Sequence, residues 1–189
     1  MADGPRDEPL PLGAEASTGF TTRSQEQPLA HLLLRLQDGD HSAFEPLIVQ
    51  TQASAFRLAN SILSDRHLAE DVLQEVYLTV YREIRTLRNP AAFRGWFLRI
   101  LTNRCRRAQR GQKPAEIDPD HPGESSADWK VDLRMVLAGI PATDRTVLAL
   151  REIFQCSYQE IAQVLKVPLG TVKSRLSEAR RRLLQAWTR

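Results

Sequence analysis

The stretch SYQEIAQVLKVPLGTVKSRLSEARRRL, residues 157 to 183, divides at Lys166-Val167-Pro168 into two helical patterns. Ser157 followed three residues later by Glu160 is a capping box, and Ile161, Ala162, Val164 and Leu165 give the short helix behind it an apolar side. Beyond the turn, Val172, Leu176, Ala179, Leu183 and Trp187 fall at spacings of four, three, four and four, which puts all five on one helix face. Lys173, Arg175, Arg180, Arg181 and Arg182 lie off that stripe. A short capped helix, a tight turn and a longer basic helix is the plan of a helix-turn-helix, whose second helix enters the DNA major groove. Thr171, Lys173, Ser174, Ser177 and Glu178 are placed to face base edges. Lysine and serine donate to guanine or to phosphate, and Glu178 is suited to accept from cytosine N4. Arg175 and Arg180 to Arg182 suit phosphates, which hold register without reading sequence. On periodicity alone, an ordinary helical hairpin with a basic exposed side remains the alternative.

Working outward, Leu133, Val136, Leu137 and Ile140 predict a helix that stops at Pro141, and Val147, Leu148 and Ile153 predict a second. Further upstream the apolar period is again three and four. Leu32, Leu33 and Leu36 mark a first helix. Ser42 with Glu45 reads as a capping-box start for a second, with Phe44, Leu47, Ile48, Ala55, Ala59 and Ile62 buried. Asp65 caps a third, striped by Leu68, Val72, Val76, Val80, Ile84 and Leu87. Asn89-Pro90 opens a fourth carrying Phe93, Trp96, Phe97, Ile100 and Leu101. Two stretches lack such a period. Residues 1–27 hold Pro5, Pro9, Pro11, Gly4, Gly13 and Gly19 and read as a disordered tail. Residues 111–129 hold Pro114, Pro119 and Pro122 with Glu116, Asp118, Asp120, Glu124 and Asp128, and read as a flexible acidic linker. The expected fold is therefore all-α: two small helical domains, 28–110 and 130–189, joined by that linker, the C-terminal one a helix-turn-helix.

Composition narrows the function. The 189 residues are 42% hydrophobic and 26% charged, ordinary for a globular chain, and the net charge is only +3. The distribution is uneven. Arg94, Arg99, Arg104, Arg106, Arg107 and Arg110 occur in one run without an acid, and with the cluster in the last helix they form the footprint expected where phosphates are contacted. Two solvated helix faces are the other reading of those clusters. Cys105 and Cys156 have no ligand spacing and are expected to be reduced and structural. His31, His41, His67 and His121 show no metal-ligand pattern, so no metal and no cofactor is expected, and dense carboxylates suited to catalysis are lacking elsewhere. No signal peptide and no apolar run long enough for a bilayer is visible, which points to the cytoplasm.

In the third helix, Asp71, Gln74 and Glu75 fall at i, i+3 and i+4, on one helix face; in isolation a solvated acidic face is the default reading, and the other is that two carboxylates and an amide pair with arginines of a partner helix.

Two blocks resemble one family. Ser157-Tyr158-Gln159-Glu160-Ile161-Ala162 and Val167-Pro168-Leu169-Gly170-Thr171-Val172-Lys173-Ser174-Arg175-Leu176 resemble region 4 of the extracytoplasmic-function sigma factors, which reads the −35 promoter element. Ala69-Glu70-Asp71-Val72-Leu73-Gln74-Glu75-Val76-Tyr77 is similar to the part of sigma region 2 that docks on the clamp of the polymerase's largest subunit. Phe93-Arg94-Gly95-Trp96-Phe97-Leu98-Arg99-Ile100-Leu101-Thr102-Asn103-Arg104 resembles the part that opens and captures the −10 element. The resemblance implies a promoter-selecting partner of core RNA polymerase, meeting its clamp and flap as well as promoter DNA, with no catalytic activity. It places Asp71, Gln74 and Glu75 on polymerase. Arg94, Arg99, Asn103, Arg104 and Arg107 go to the −10 element, Asn103 against a flipped base. Thr171, Lys173, Ser174, Arg175, Ser177, Glu178 and Arg180 go to the −35 element. An anti-sigma factor is a family expectation. Trp96 and Phe97 share the stripe with Ile100 and are expected in the core rather than as stacking platforms. Lys166 stands where the family usually has glycine, and Ser177-Glu178 replaces a pair more often aromatic or basic.

Fully extended at about 3.3 Å per residue, a linker of some 18 residues spans about 60 Å, or roughly 17 base pairs, so two separated DNA sites are within reach. The competing readings are a free-standing regulator that binds duplex DNA without polymerase, an enzyme acting on nucleic acid, and an adaptor that binds polymerase without choosing promoters.

Overall fold

The computed structural model describes residues 28–111 and 139–187, and among these there is no strand. The tail, the linker beyond Gly111 and the positions Leu133, Val136 and Leu137 lie outside the described residues.

Four helices form the first group: α1 (Leu29–Gln37), α2 (Phe44–Leu63), α3 (Arg66–Glu83) and α4 (Phe93–Gly111). Local chemistry sets their ends. The expected Ser42–Glu45 capping box is not what opens α2. Asp40 instead caps a short 3-10 turn, His41–Ala43, taking the Ser42 N–H at 3.0 Å and the Ser42 hydroxyl at 2.6 Å. The Ser42 hydroxyl donates to that carboxylate and accepts from the Arg35 guanidinium at 2.8 Å, so its oxygen is engaged there rather than with the Glu45 N–H. Those Ser42 bonds, with the Arg35 guanidinium at 2.8 Å, hold the Asp40 carboxyl down to about 2. Asp65 caps α3 through the Leu68 N–H at 3.0 Å, as expected from its position. Asn89 takes the Ala91 N–H at 2.9 Å, but it opens a 3-10 turn, Pro90–Ala92, and α4 itself starts at Phe93.

The apolar stripes meet in a core of Leu32, Leu47, Leu58, Ile62, Val76, Phe93, Phe97 and Leu101, all essentially inaccessible. Phe97 sits 5.6 Å from the Phe93 ring and 6.0 Å from Tyr77, centroid to centroid, so it is a packing residue, while Trp96 is half-buried against the same core. Thr51 and Tyr77 share a hydroxyl bond of 2.8 Å inside this core, and burial pushes the Tyr77 phenol up to about 12.

The second group is α5 (Ala142–Glu152), α6 (Tyr158–Leu165) and α7 (Leu169–Trp187), around Val147, Leu150, Phe154, Ile161, Val172, Leu176 and Ala179. The capping box at Ser157 is complete: its hydroxyl takes the Glu160 N–H at 3.2 Å and the Glu160 carboxylate takes the Ser157 N–H at 2.7 Å. Lys166 closes α6 in the left-handed region at φ 54, the backbone that glycine adopts without strain. The two groups pack directly on one another, α2 against α5 and α4 against α6.

Candidate nucleic-acid interface

On α7, burial of Val172, Leu176 and Ala179 turns Lys173, Ser174 and Ser177 outward, with Thr171 and Arg175 at the margins. Pro168 starts the helix, its carbonyl taking the Thr171 and Val172 N–H groups at 2.9 and 3.2 Å. The Ser174 hydroxyl is turned back to the Thr171 carbonyl at 3.1 Å, which leaves Lys173 and Ser177 as its most open polar neighbours.

Two residues assigned to this face by sequence have other partners. Both Glu178 carboxylate oxygens accept from arginines, Arg181 at 2.6 and 2.9 Å and Arg182 at 2.7 Å. Those bonds draw the Glu178 carboxyl down to about 2. Arg180 donates to Glu152 at 3.2 Å, so it ties α7 to α5.

On α4, Arg99, Asn103 and Arg107 recur at four-residue intervals and all three are exposed, with Arg106 and Arg110 exposed beside them. The remaining two residues expected on this face lie off it. Arg104 crosses to α3, donating to Glu75 at 2.8 Å and to the Thr79 hydroxyl at 3.2 Å. Arg94 donates to the Phe154 carbonyl and approaches Glu160 to 3.7 Å, both in the second helical group.

On α3, Asp71, Gln74 and Glu75 share an exposed face, as their spacing predicts. The face continues into two apolar residues that sequence reading passed over, Leu78 at 55% and Tyr81 at 43% exposure. They sit at i+4 and i+7 from Gln74, so the same helical spacing that links Asp71 to Gln74 and Glu75 would have found them. Tyr81 is braced edge-on by Phe44 at 5.0 Å. An acidic patch beside exposed apolar surface is suited to a protein partner rather than to nucleic acid.

Neither cysteine belongs to a reactive site. Both are buried and free, and burial raises the Cys105 thiol to about 12 and the Cys156 thiol to about 11. Among the described residues, no group of His, Cys, Asp and Glu is placed to hold a metal, and no helix is long and apolar enough to cross a membrane.

Residues 47–114 match the family described as Sigma-70 region 2, and residues 130–183 match Sigma-70, region 4. The chain is 31% identical over 180 residues to the RNA polymerase sigma-H factor of Pseudomonas aeruginosa, covering 84% of this chain and 92% of that protein. It is 30% identical over 170 residues to the ECF RNA polymerase sigma-E factor of Escherichia coli K12, covering 79% and 88%. This chain is an ECF-type sigma factor. Its fold also resembles that of the Bartonella quintana sigma factor RpoE, crystallised with the anti-sigma factor NepR, with a TM-score of 0.65 and 22% identity over 77% of this chain and 96% of that one.

As an RNA polymerase sigma factor of the ECF type, this protein is a DNA-binding transcription initiation factor. The region 2 match takes in most of α2 and all of α3 and α4, hence the acidic face and the Arg99-Asn103-Arg107 stripe. The region 4 match takes in α5, α6 and α7 as far as Leu183.

Proposed function

We propose that this sigma factor docks on the clamp of core RNA polymerase through α3, with Asp71, Gln74 and Glu75 pairing with partner arginines and Leu78 and Tyr81 widening the contact. The C-terminal helical group meets the polymerase flap. Asn103 holds an unstacked base of the −10 element while Arg99 and Arg107 grip the strand, joined by Arg94 and Arg104 once their present partners release them. Thr171, Lys173, Ser174, Arg175 and Ser177 face the −35 element, with Glu178 and Arg180 supporting that helix. The protein catalyses no reaction itself; it holds opened DNA better than the duplex does. Its domains are 28–110 and 130–189, separated by a linker at 111–129 and preceded by a tail at 1–27. It works in the cytoplasm, and an anti-sigma factor is its regulatory partner, by analogy with the Bartonella complex.

The observation that carries this reading is the division of exposed surface within one small helical group. One helix face is acidic and apolar, suited to protein, while Arg99, Asn103 and Arg107 line a neighbouring helix without an acid among them. The test is run-off transcription with purified core polymerase on a pool of genomic fragments. We expect discrete start sites that disappear with Asp71→Arg and weaken with Lys173→Ala at promoters bearing a −35 element. Specific duplex binding by the protein alone, with no polymerase-dependent start from any fragment, would establish a free-standing regulator instead.

A further inference from the structure

Between α2, α4, α5, α6 and α7 lies a cleft of about 190 Å³ whose charged lining is Arg106 of α4 and Arg175 of α7, with no acid on its wall. Among the described residues, neither guanidinium has a carboxylate or carbonyl partner. The other polar side chains of the wall are already engaged. Gln109 donates to the Ile62 carbonyl at 2.8 Å, an acceptor it shares with Arg145, which also donates at 2.8 Å. The Thr102 hydroxyl donates to the Leu98 carbonyl at 2.8 Å, that of Thr146 to the Ala142 carbonyl at 2.7 Å, and that of Thr143 to the Asp144 carboxylate at 3.3 Å. The two guanidiniums are what remains to bind an occupant.

The start of α5 adds to them. Pro141 offers that helix no side-chain cap, and its carbonyl takes the Asp144 and Arg145 N–H groups at 2.9 Å each. The Ala142 and Thr143 N–H groups come before these and have no acceptor within the helix, so partial positive charge gathers beside the cleft that both residues line. Two like charges and a helix N-terminus around one small space repel one another until an anion sits among them. Guanidinium forks take phosphate through paired, charge-assisted bonds, and a phosphate dianion matches two arginines in charge. The volume is below the roughly 300 Å³ of a pocket for a drug-sized ligand, so it suits a phosphate group with any organic remainder outside.

We propose that this cleft is a binding site for a phosphate dianion, either inorganic phosphate or the phosphate of a small monoester, held between Arg106 and Arg175 against the start of α5. The site does not depend on the sigma reading. Where that reading holds, an occupant on Arg175 withdraws this side chain from the −35 element.

The test is calorimetric titration of the full chain with inorganic phosphate and with phenyl phosphate. Ionic strength is kept constant with chloride, so that general screening is the same throughout. We expect one saturable site, weakened about tenfold or more by Arg106→Ala and by Arg175→Ala, the loss that follows from removing a charge-assisted hydrogen bond. Arg110→Ala should leave it unchanged, because Arg110 is exposed on α4 but lies outside the cleft. Phenyl phosphate should bind less tightly below about pH 6, where the monoester regains its second proton. Tighter binding of inorganic phosphate assigns the cleft to the free ion and tighter binding of phenyl phosphate to a monoester; either supports the site. Binding that Arg110→Ala weakens as much as Arg106→Ala reports general positive charge and overturns it. Absence of binding to wild type overturns it as well, and if a DNA duplex then binds less tightly to Arg106→Ala, the arginines serve the DNA backbone instead. Arg175 is half-buried, so if Arg175→Ala loses helicity, the variant at the exposed Arg106 decides. Failure of the sigma reading would appear separately, as absence of start sites in the transcription assay.

Discussion

At Glu178 the residue type and its surroundings point in different directions. A glutamate on a recognition helix is chemically suited to accept from cytosine, yet both its oxygens already accept from Arg181 and Arg182. Because those bonds hold its carboxyl near 2 in the folded chain, below the ordinary carboxylate value, they are fully present above about pH 4.5 and are lost only as pH falls toward 2. At neutral pH, then, Glu178 acts as an organiser of two arginines. Replacing it as Glu178→Gln should free both for phosphates, raising affinity for all duplexes alike and steepening the salt slope by about 1 for each arginine that gains a phosphate. Competition binding against single-base variants checks this; lost discrimination at one base pair, with unchanged overall affinity, would return Glu178 to base reading. Lys166 shows the same dependence on surroundings. The turn demands a left-handed residue and the chain supplies a lysine there, with the strain that a Cβ brings.

Helix ends were legible wherever cap and first turn lie within a few residues. Asp65, Asn89 and Ser157 each accept the N–H groups that their positions imply. The exception, Ser42, failed because its hydroxyl is held between Asp40, to which it donates, and Arg35, from which it accepts, a competition that the motif alone does not reveal. For α6 the capping box has a measurable weight. Ser157→Ala removes the acceptor for the Glu160 N–H and should cost about 1 kcal/mol, read as a lower urea midpoint, and fray the first helix of the helix-turn-helix. The faces of α3 and α4 follow from the helical period as well. That period places Arg99, Asn103 and Arg107 in one stripe and sets Arg104 to its flank and Arg94 to the opposite side, a distinction hidden when all the arginines of the run are counted together.

Across the whole molecule, the buried apolar side chains of the two helical groups join in one cluster, but the rings that Phe97 meets, Phe93 and Tyr77, both belong to the first group, and this shapes how damage spreads. Phe97 is buried between Phe93 and Tyr77, so Phe97→Ala leaves a cavity in the first group and should cost it about 3 to 5 kcal/mol. The second group, built on Leu150, Phe154, Val172 and Leu176, should keep its helices at temperatures where the first has melted. Amide hydrogen exchange on the variant checks this: protection lost early in α2 to α4 and retained in α5 to α7 is the expected pattern, and simultaneous loss would mean that the groups share one cooperative unit. By itself the sequence determined the helical class, most helix ends, the helix-turn-helix, the basic and acidic faces and the family, because these depend on residues within one or two helical turns of one another. Only the tertiary structure decided which partners Arg94, Arg104, Arg145 and Arg180 take. Those partners lie 60 residues away for Arg94, 29 for Arg104, 83 for Arg145 and 28 for Arg180. An arginine reaches whichever acceptor the packing of apolar stripes brings near it, and no local pattern records that choice.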